Sequence, residues 1–360
     1  MSITKRGSVY RARIRDAVGK EHCRHFDTRR AAVAWESEQL TAKAKGQSLD
    51  LGDRTTVGEY ARRWATGRPF RASTARNVEG LIKNHIEATP LGSRRLNAVR
   101  PSEVQTWATD RSKLMSPGRL KILVGYLRSI YRDAVLDRLV ATSPVVRIAM
   151  PSIERERVIP LTVGEVMALA DAMPDRNRAM VIVQATCGLR ISELVALRLE
   201  DINFLKRTVR VEYQFETHTK RRVEPKTPRS RRTLPLPTFT AEVLAAHLAK
   251  YPPAVDGSLF STYLGTPYRI DIYSTHFKAA VKKADLPAKT TPHACRHFFA
   301  SVLIDQGESL VTVANLLGHA NTLMVATTYG HIMPKQEDKT RRAIDSAFAA
   351  DRDRIERTGE

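Results

Sequence analysis

Cysteine and acid are both scarce in this sequence. Cys23, Cys187 and Cys295 are far apart and odd in number, with no CxxC pair. That excludes a disulfide framework and a thiolate zinc site, and it fits a reducing cytoplasm. No apolar run approaches membrane-spanning length, and the basic start MSITKRGSVYRARIR lacks the apolar segment of a secretory signal. A membrane surface would want a basic amphipathic helix with an aromatic face, and none is evident. Internal repeats, low-complexity tracts and the carboxylate cluster of a metal-dependent nuclease are missing as well. The expectation is a cytoplasmic protein without metal or cofactor.

What is abundant is positive charge. Lys and Arg number 59 against 38 Asp and Glu, leaving +21 and a pI near 10.2 over 360 residues. Solubility needs far less, so a polyanionic partner is expected, and nucleic acid is the first candidate. At 42% hydrophobic residues the chain can fill two or three cores.

The run VYRARIRD alternates before the turn AVGK and a second extended run, EHCRHFDT; RRAAVAWESEQLTAK then has helical spacing. This reads as a small β-sheet plus helix module over residues 1–50, with Arg11, Arg13, Arg15 and Arg24 on strands suited to face phosphate. Helices dominate residues 54–150. Thr56 with Glu59 and Ser102 with Gln105 have capping-box spacing. RLKILVGYLRSIYRDAVLDRLV sets Leu120, Leu123, Val124, Leu127, Ile130, Tyr131 and Ala134 on one helical face, with Arg128 and Arg132 off it. After the hinge AMPSIERERVIP, Thr162 and Glu165 form a third capping pair, opening a mixed α/β but mainly α domain over 156–345. A helix is expected from Arg178 to Leu199, followed by strands and more helices. Residues 346–360 form a tail. The fold class is therefore multidomain, mainly α with small β elements.

TPHACRHFFAS, Thr291 to Ser301, sets His293, Cys295, Arg296 and His297 close together. Metal, phosphate and simple packing are the three fates to weigh. On a helix Cys295, Phe299, Val302 and Leu303 share one face, which places the thiol in the core. His293 and His297 have the i, i+4 spacing of a metal pair, but Cys295 points away from both and no acidic ligand is near. His293 and Arg296, at a helix start, are better matched to a phosphate oxygen. An anion site needs other cations. TCGLRISELVALRLEDI offers Arg190 with Glu193 to brace it, VEPKTPRSRRTLPL offers Lys226 on a hairpin, and LLGH and ATTYGHI bring His319 and Tyr329.

In this order the boxes TCGLRISELVALRLEDI, KTPRSRR, HACRH, LLGH and TTYGHI resemble those of the tyrosine recombinases, or phage-type integrases. The likeness spans roughly Thr162 to His331. Residues 1–50 resemble the arm-type DNA-binding domain and 54–150 the helical core-binding domain of larger integrases. The resemblance implies a catalytic set of Arg190, Lys226, His293, Arg296, His319 and the nucleophile Tyr329, with Glu193 orienting Arg190. Cys295 stands where the family commonly has leucine, and His331 is read as structural or DNA-proximal.

It further implies a site-specific DNA recombinase, acting on duplex DNA at core and arm sites as a homotetramer near the nucleoid of a bacterial host. A DNA-bending host factor and an excisionase are candidate accessory partners, and the tail would be exchanged between protomers. Tyr329 would attack the scissile phosphate to give a 3′-phosphotyrosyl link, Lys226 would protonate the leaving 5′-oxygen, and His293 would take or return the phenolic proton. Two rivals remain: a tyrosine transesterase that relaxes DNA without joining sites, and a DNA-binding regulator on an inactive scaffold.

Overall fold

The computed structural model describes residues 2–15, 21–44, 54–152, 158–216, 221–225, 227–319, 321–330, 341 and 344–348. The chain divides into two compact units, Met1–Arg155 and Glu156–Glu360. Among the described residues no helix is long and apolar enough to cross a membrane.

The first unit opens with an antiparallel sheet of β1 (Ile3–Arg6), β2 (Val9–Arg15) and β3 (Glu21–Phe26), followed by α1 (Arg29–Ala44). Successive strand residues point to opposite faces, so Ala12 and Ile14 pack with Ala32 and Trp35 in a small core of their own. Arg11, Arg13 and Arg15 consequently line the other face. Arg24 does not join them. It pairs directly with Ala12, and cross-strand partners share a face. Arg24 therefore lies on the helix side of the sheet, its guanidinium 5.6 Å from the centroid of the Phe26 ring. Charge alternation alone could not reveal this, because register decides the face. His25, opposite Arg11, takes the outward place.

Four helices follow: α2 (Val57–Thr66), α3 (Ala72–Ile82), α4 (Pro101–Ser112) and α5 (Pro117–Leu136). The Thr56 and Glu59 box forms: Thr56 Oγ1 accepts from the Glu59 N–H at 3.2 Å, and Glu59 Oε2 accepts from the Thr56 N–H at 2.9 Å. The Ser102 and Gln105 box does not. Pro101, with its φ already helical, starts α4 two residues earlier, and Glu103 reaches back to the Arg100 N–H at 2.9 Å. Gln105 instead accepts from the Ala149 N–H. On α5 the buried residues are the seven named from spacing, while Arg128 and Arg132 are exposed.

In the second unit, α6 (Val163–Ala172) starts on the Thr162 and Glu165 box and packs beside α7 (Asp175–Cys187). The expected single helix from Arg178 to Leu199 is broken at Gly188. Its φ of +60° is left-handed, and a Cβ there would sit 2.3 Å from Phe299 Cδ1. Both the backbone and its neighbour require glycine. The chain turns and restarts as the short α8 (Ile191–Leu194), with Arg190 at its start as its place after Gly188 and Leu189 leads one to expect.

A sheet in the order β4 (Ile202–Asn203), β5 (Thr208–Val211), β8 (Arg232–Pro235) and a hairpin of β6 (Gln214–Glu216) and β7 (Arg221–Val223) come next. The remaining helices are α9 (Thr238–Lys250), α10 (Ile270–Lys283), α11 (His293–Asp305), α12 (Leu310–Leu317) and α13 (Leu323–Tyr329). Apolar residues of α6, α7 and α10 fill one core, into which Cys295 of α11 is fully buried. Phe299 is buried too, but Val302 is 40% exposed and leaves the face assigned to it. Most of the tail over 346–360 lies outside the described residues.

Candidate active site

The last three carbonyls at the α12 end, of Leu316, Leu317 and Gly318, have no partner within the helix, and each receives a guanidinium. Arg232 Nε donates to Leu316 O at 2.6 Å, Arg296 Nη2 donates to Leu317 O, and Arg190 Nη2 donates to Gly318 O at 3.3 Å. Gly318 ends α12 with a φ of +65°. One helix end, negative by its dipole, thus gathers three cations, from the residue before α8, from β8 and from α11.

Glu193, 2% exposed, holds two of them. Its Oε1 accepts from Arg190 Nη1 at 2.7 Å and Arg232 Nη1 at 3.1 Å; its Oε2 accepts from Arg232 Nη2 and the Arg190 N–H, both at 2.9 Å. Burial alone would raise its pKa, but the two arginines overcome that and hold the carboxyl down at about 2. It is a carboxylate at every physiological pH.

Arg296 is 1% exposed and also donates to Gly188 O at 2.7 Å. Its Nη2 lies 3.0 Å from His319 Nε2. A guanidinium only donates, so Nε2 must accept and the imidazole proton sits on Nδ1. That Nδ1 is buried and has no partner among the described residues. Burial, then Arg296 and Arg190, push the His319 pKa down to about 4, so the ring is neutral near pH 7. The result is a fixed N–H donor amid three guanidinium groups with nothing to donate to. An oxyanion would satisfy it. His293, at the first position of α11, is likewise pulled down by burial and by Arg296 and Arg190.

Tyr329 ends α13 with its ring 2% exposed, packed in a cluster with Phe299, Val313, Leu317 and Val325. Burial pushes its pKa up to about 12, opposed by the charge of Arg296. The hydroxyl meets His297 Nδ1 at 2.6 Å. Beside His319 a cleft of about 570 Å³ opens, lined by Arg229, Arg231, Arg232, Asn315 and Thr322.

A family profile described as the phage integrase family matches residues 160–336. Residues 160–336 form a domain of the phage integrase family, the tyrosine recombinases. A tyrosine recombinase XerC-like protein of Caldanaerobacter subterraneus subsp. tengcongensis is 26% identical over 373 residues, covering 93% of this chain and 94% of that protein. A putative prophage phiRv2 integrase of Mycobacterium tuberculosis is 28% identical over 326 residues, covering 85% of this chain and 84% of its own length. The fold is that of the Tn1549 transposon integrase solved with a circular intermediate DNA, with a TM-score of 0.71 at 23% identity over 81% of this chain and 99% of that one. A lambda integrase dimer bound to a core site matches with a TM-score of 0.60 at 19% identity, over 91% of this chain and 94% of that one.

Within this recombinase Arg190, Glu193, Arg296 and His319 form one hydrogen-bonded cluster. His293 and Tyr329 join it through His297, whose ring lies 4.6 Å from the first and 5.5 Å from the second. Lys226 and His331 lie outside the described residues. Arg11, Arg13, Arg15, Arg24, Arg128 and Arg132 all belong to the first unit. Sequence reasoning missed Arg232 and left His297 without a role. Arg232 had a signal: Glu193 sits between Ile191 and Leu194, which implies a buried carboxylate, and such a group has more acceptor sites than one partly exposed arginine fills. Among the described residues no three His, Cys, Asp or Glu side chains group as metal ligands would.

Proposed function

We propose that this recombinase integrates and excises a mobile element by cutting and rejoining duplex DNA through a 3′-phosphotyrosyl intermediate, needing neither metal nor ATP. The unpartnered His319 N–H among Arg190, Arg232 and Arg296 is the observation that carries this reading. A phosphodiester repels nucleophiles through its nonbridging oxygens, and the transition state adds charge there. Fixed cations and donors answer both difficulties. Arg296 uses three of its five N–H groups on Gly188 O, Leu317 O and His319, which leaves two for phosphate. Arg190, braced by Glu193, adds a second fork, and His293 and His319 add single donors.

Tyr329 then attacks phosphorus, the P–O5′ bond breaks, and Lys226 protonates the departing oxygen. A phenolate is a feasible leaving group, so the step reverses when a 5′-hydroxyl from a partner duplex attacks. No external energy source is needed because the tyrosyl ester conserves the broken linkage. We further propose a homotetramer on core sites, with a DNA-bending host factor and an excisionase setting direction, and the 346–360 tail docking on a neighbouring protomer. In this reading residues 1–50 bind arm DNA, 54–150 bind the core site, and Arg128 and Arg132 contact its phosphates.

The test is a nicked duplex that traps cleavage, carrying the core site from DNA flanking the gene, run on denaturing gels with chelator present. A chelator-resistant covalent band that Tyr329→Phe abolishes is expected. Tight binding without a band would instead favour the regulator. Arg13→Ala should weaken arm-site binding across sequences and lower the salt slope by about 1, with core-site binding unchanged; it is read by titration at several salt concentrations.

A further inference from the structure

His297 was weighed only as half of a metal pair, and the reaction outlined above gives it no task. Its placement argues for one. It follows Arg296 directly near the start of α11, so the guanidinium proposed to clamp phosphate and the imidazole that touches the nucleophile come from adjacent residues of one rigid element. Tyr329 Oη, at 2.6 Å from His297 Nδ1, has no other hydrogen-bond partner among the described residues. His293, assigned from the family resemblance to handle the phenolic proton, contacts the His297 ring edge to face and makes no hydrogen bond to Tyr329.

We propose that His297 positions the Tyr329 hydroxyl for attack and takes its proton through Nδ1, as the general base of strand cleavage. This rests on the strand-transfer reading above. The step balances within the site. The phenolic hydrogen moves to Nδ1 as the phenolic oxygen bonds phosphorus, the P–O5′ bond breaks, and O5′ gains its proton from Lys226. In the reverse step the imidazolium returns its proton to the departing phenolic oxygen. The groups facing His297 are His293 on its own helix, the neighbouring Arg296 and Tyr329 on α13. Burial, then His293 and Arg296, depress its pKa to about 4, so the ring enters the reaction neutral and able to accept. A phenol held up at about 12 needs such an acceptor, since little phenolate exists at neutral pH.

The full-length protein is compared with His297→Leu and His297→Asn on the nicked core-site duplex, at single turnover across pH 6 to 9, with affinity measured in parallel. Wild type forming the adduct and Tyr329→Phe forming none establishes the strand-transfer reading independently of His297. Both His297 variants should bind DNA as wild type does and cleave about 100-fold more slowly at pH 7. Their rates should rise about tenfold per pH unit while wild type changes little, because only spontaneously formed phenolate then attacks. Asparagine can replace the Nδ1 acceptor but cannot keep a proton. Recovery by His297→Asn alone, with a flat pH profile, would reduce His297 to a holder and overturn the proton-transfer role. A wild-type or faster rate in His297→Leu would overturn the whole proposal. A 5′-bridging phosphorothiolate, whose sulfur leaves without acid, should rescue Lys226→Ala but neither His297 variant. Rescue of His297→Leu on it would place the defect on the leaving-group side and also overturn the assignment.

Discussion

Arg296→Lys, which leaves the net charge unchanged, is expected to slow covalent adduct formation about a thousandfold. Charge is only part of what Arg296 supplies. Its planar group spans Gly188 O at the end of α7, Leu317 O at the end of α12 and His319 Nε2, three acceptors in different directions. A lysine ammonium is a single point on a flexible stem and cannot meet all three while still facing a phosphate. Losing the contact to Nε2 also frees the His319 tautomer, so the N–H on Nδ1 would no longer be fixed. Two transition-state contacts weaken together, and losing one such donor alone costs about a hundredfold to a thousandfold. Single-turnover cleavage on the nicked duplex measures the effect, and a gel-shift titration should show affinity within about threefold of wild type, since phosphate contacts elsewhere supply most binding. Equal losses in affinity and rate would show that Arg296 serves the fold rather than the transition state.

The candidate cluster was legible from the order of its boxes, whose resemblance to the tyrosine recombinases named Arg190, His293, Arg296, His319 and Tyr329, and residue chemistry by itself reached only an anion site. The seven-residue face of α5 and the capping boxes at Thr56 and Thr162 were legible because helical period and cap chemistry are local. Features set by register or tertiary contact were not. Arg24 could not be assigned to a face until its pairing with Ala12 was known. The break at Gly188 depends on the Phe299 ring packing against it from 111 positions further along the chain. Arg232 and His297 act through partners distant in sequence, Glu193 and Tyr329, so no short motif exposes them. The α12 end, where Arg190, Arg232 and Arg296 meet, is likewise a product of three separate chain segments.

Glu193→Gln should lower stability by about 3 kcal/mol at pH 7 and slow cleavage about a hundredfold. The carboxyl titrates at about 2 in the folded protein against 4.5 for an ordinary glutamate. A shift of roughly 2.5 units at about 1.4 kcal/mol each gives the stability figure, to order of magnitude. Because the folded pKa is depressed, this contribution is complete above about pH 4.5 and disappears as pH falls through about 2. The gap between wild type and variant, followed by urea unfolding, should therefore narrow over that window and stay constant from pH 5 to 7. Glutamine preserves the shape of the side chain but leaves Arg190 and Arg232 facing each other without a counter-charge. Their repulsion loosens Arg190, which then meets the phosphate without a fixed geometry, so the rate should fall even where the variant is fully folded. A gap that persisted unchanged at pH 2 would mean that Glu193 stabilises through packing rather than charge. In that case the two arginines would need another anion to hold them together.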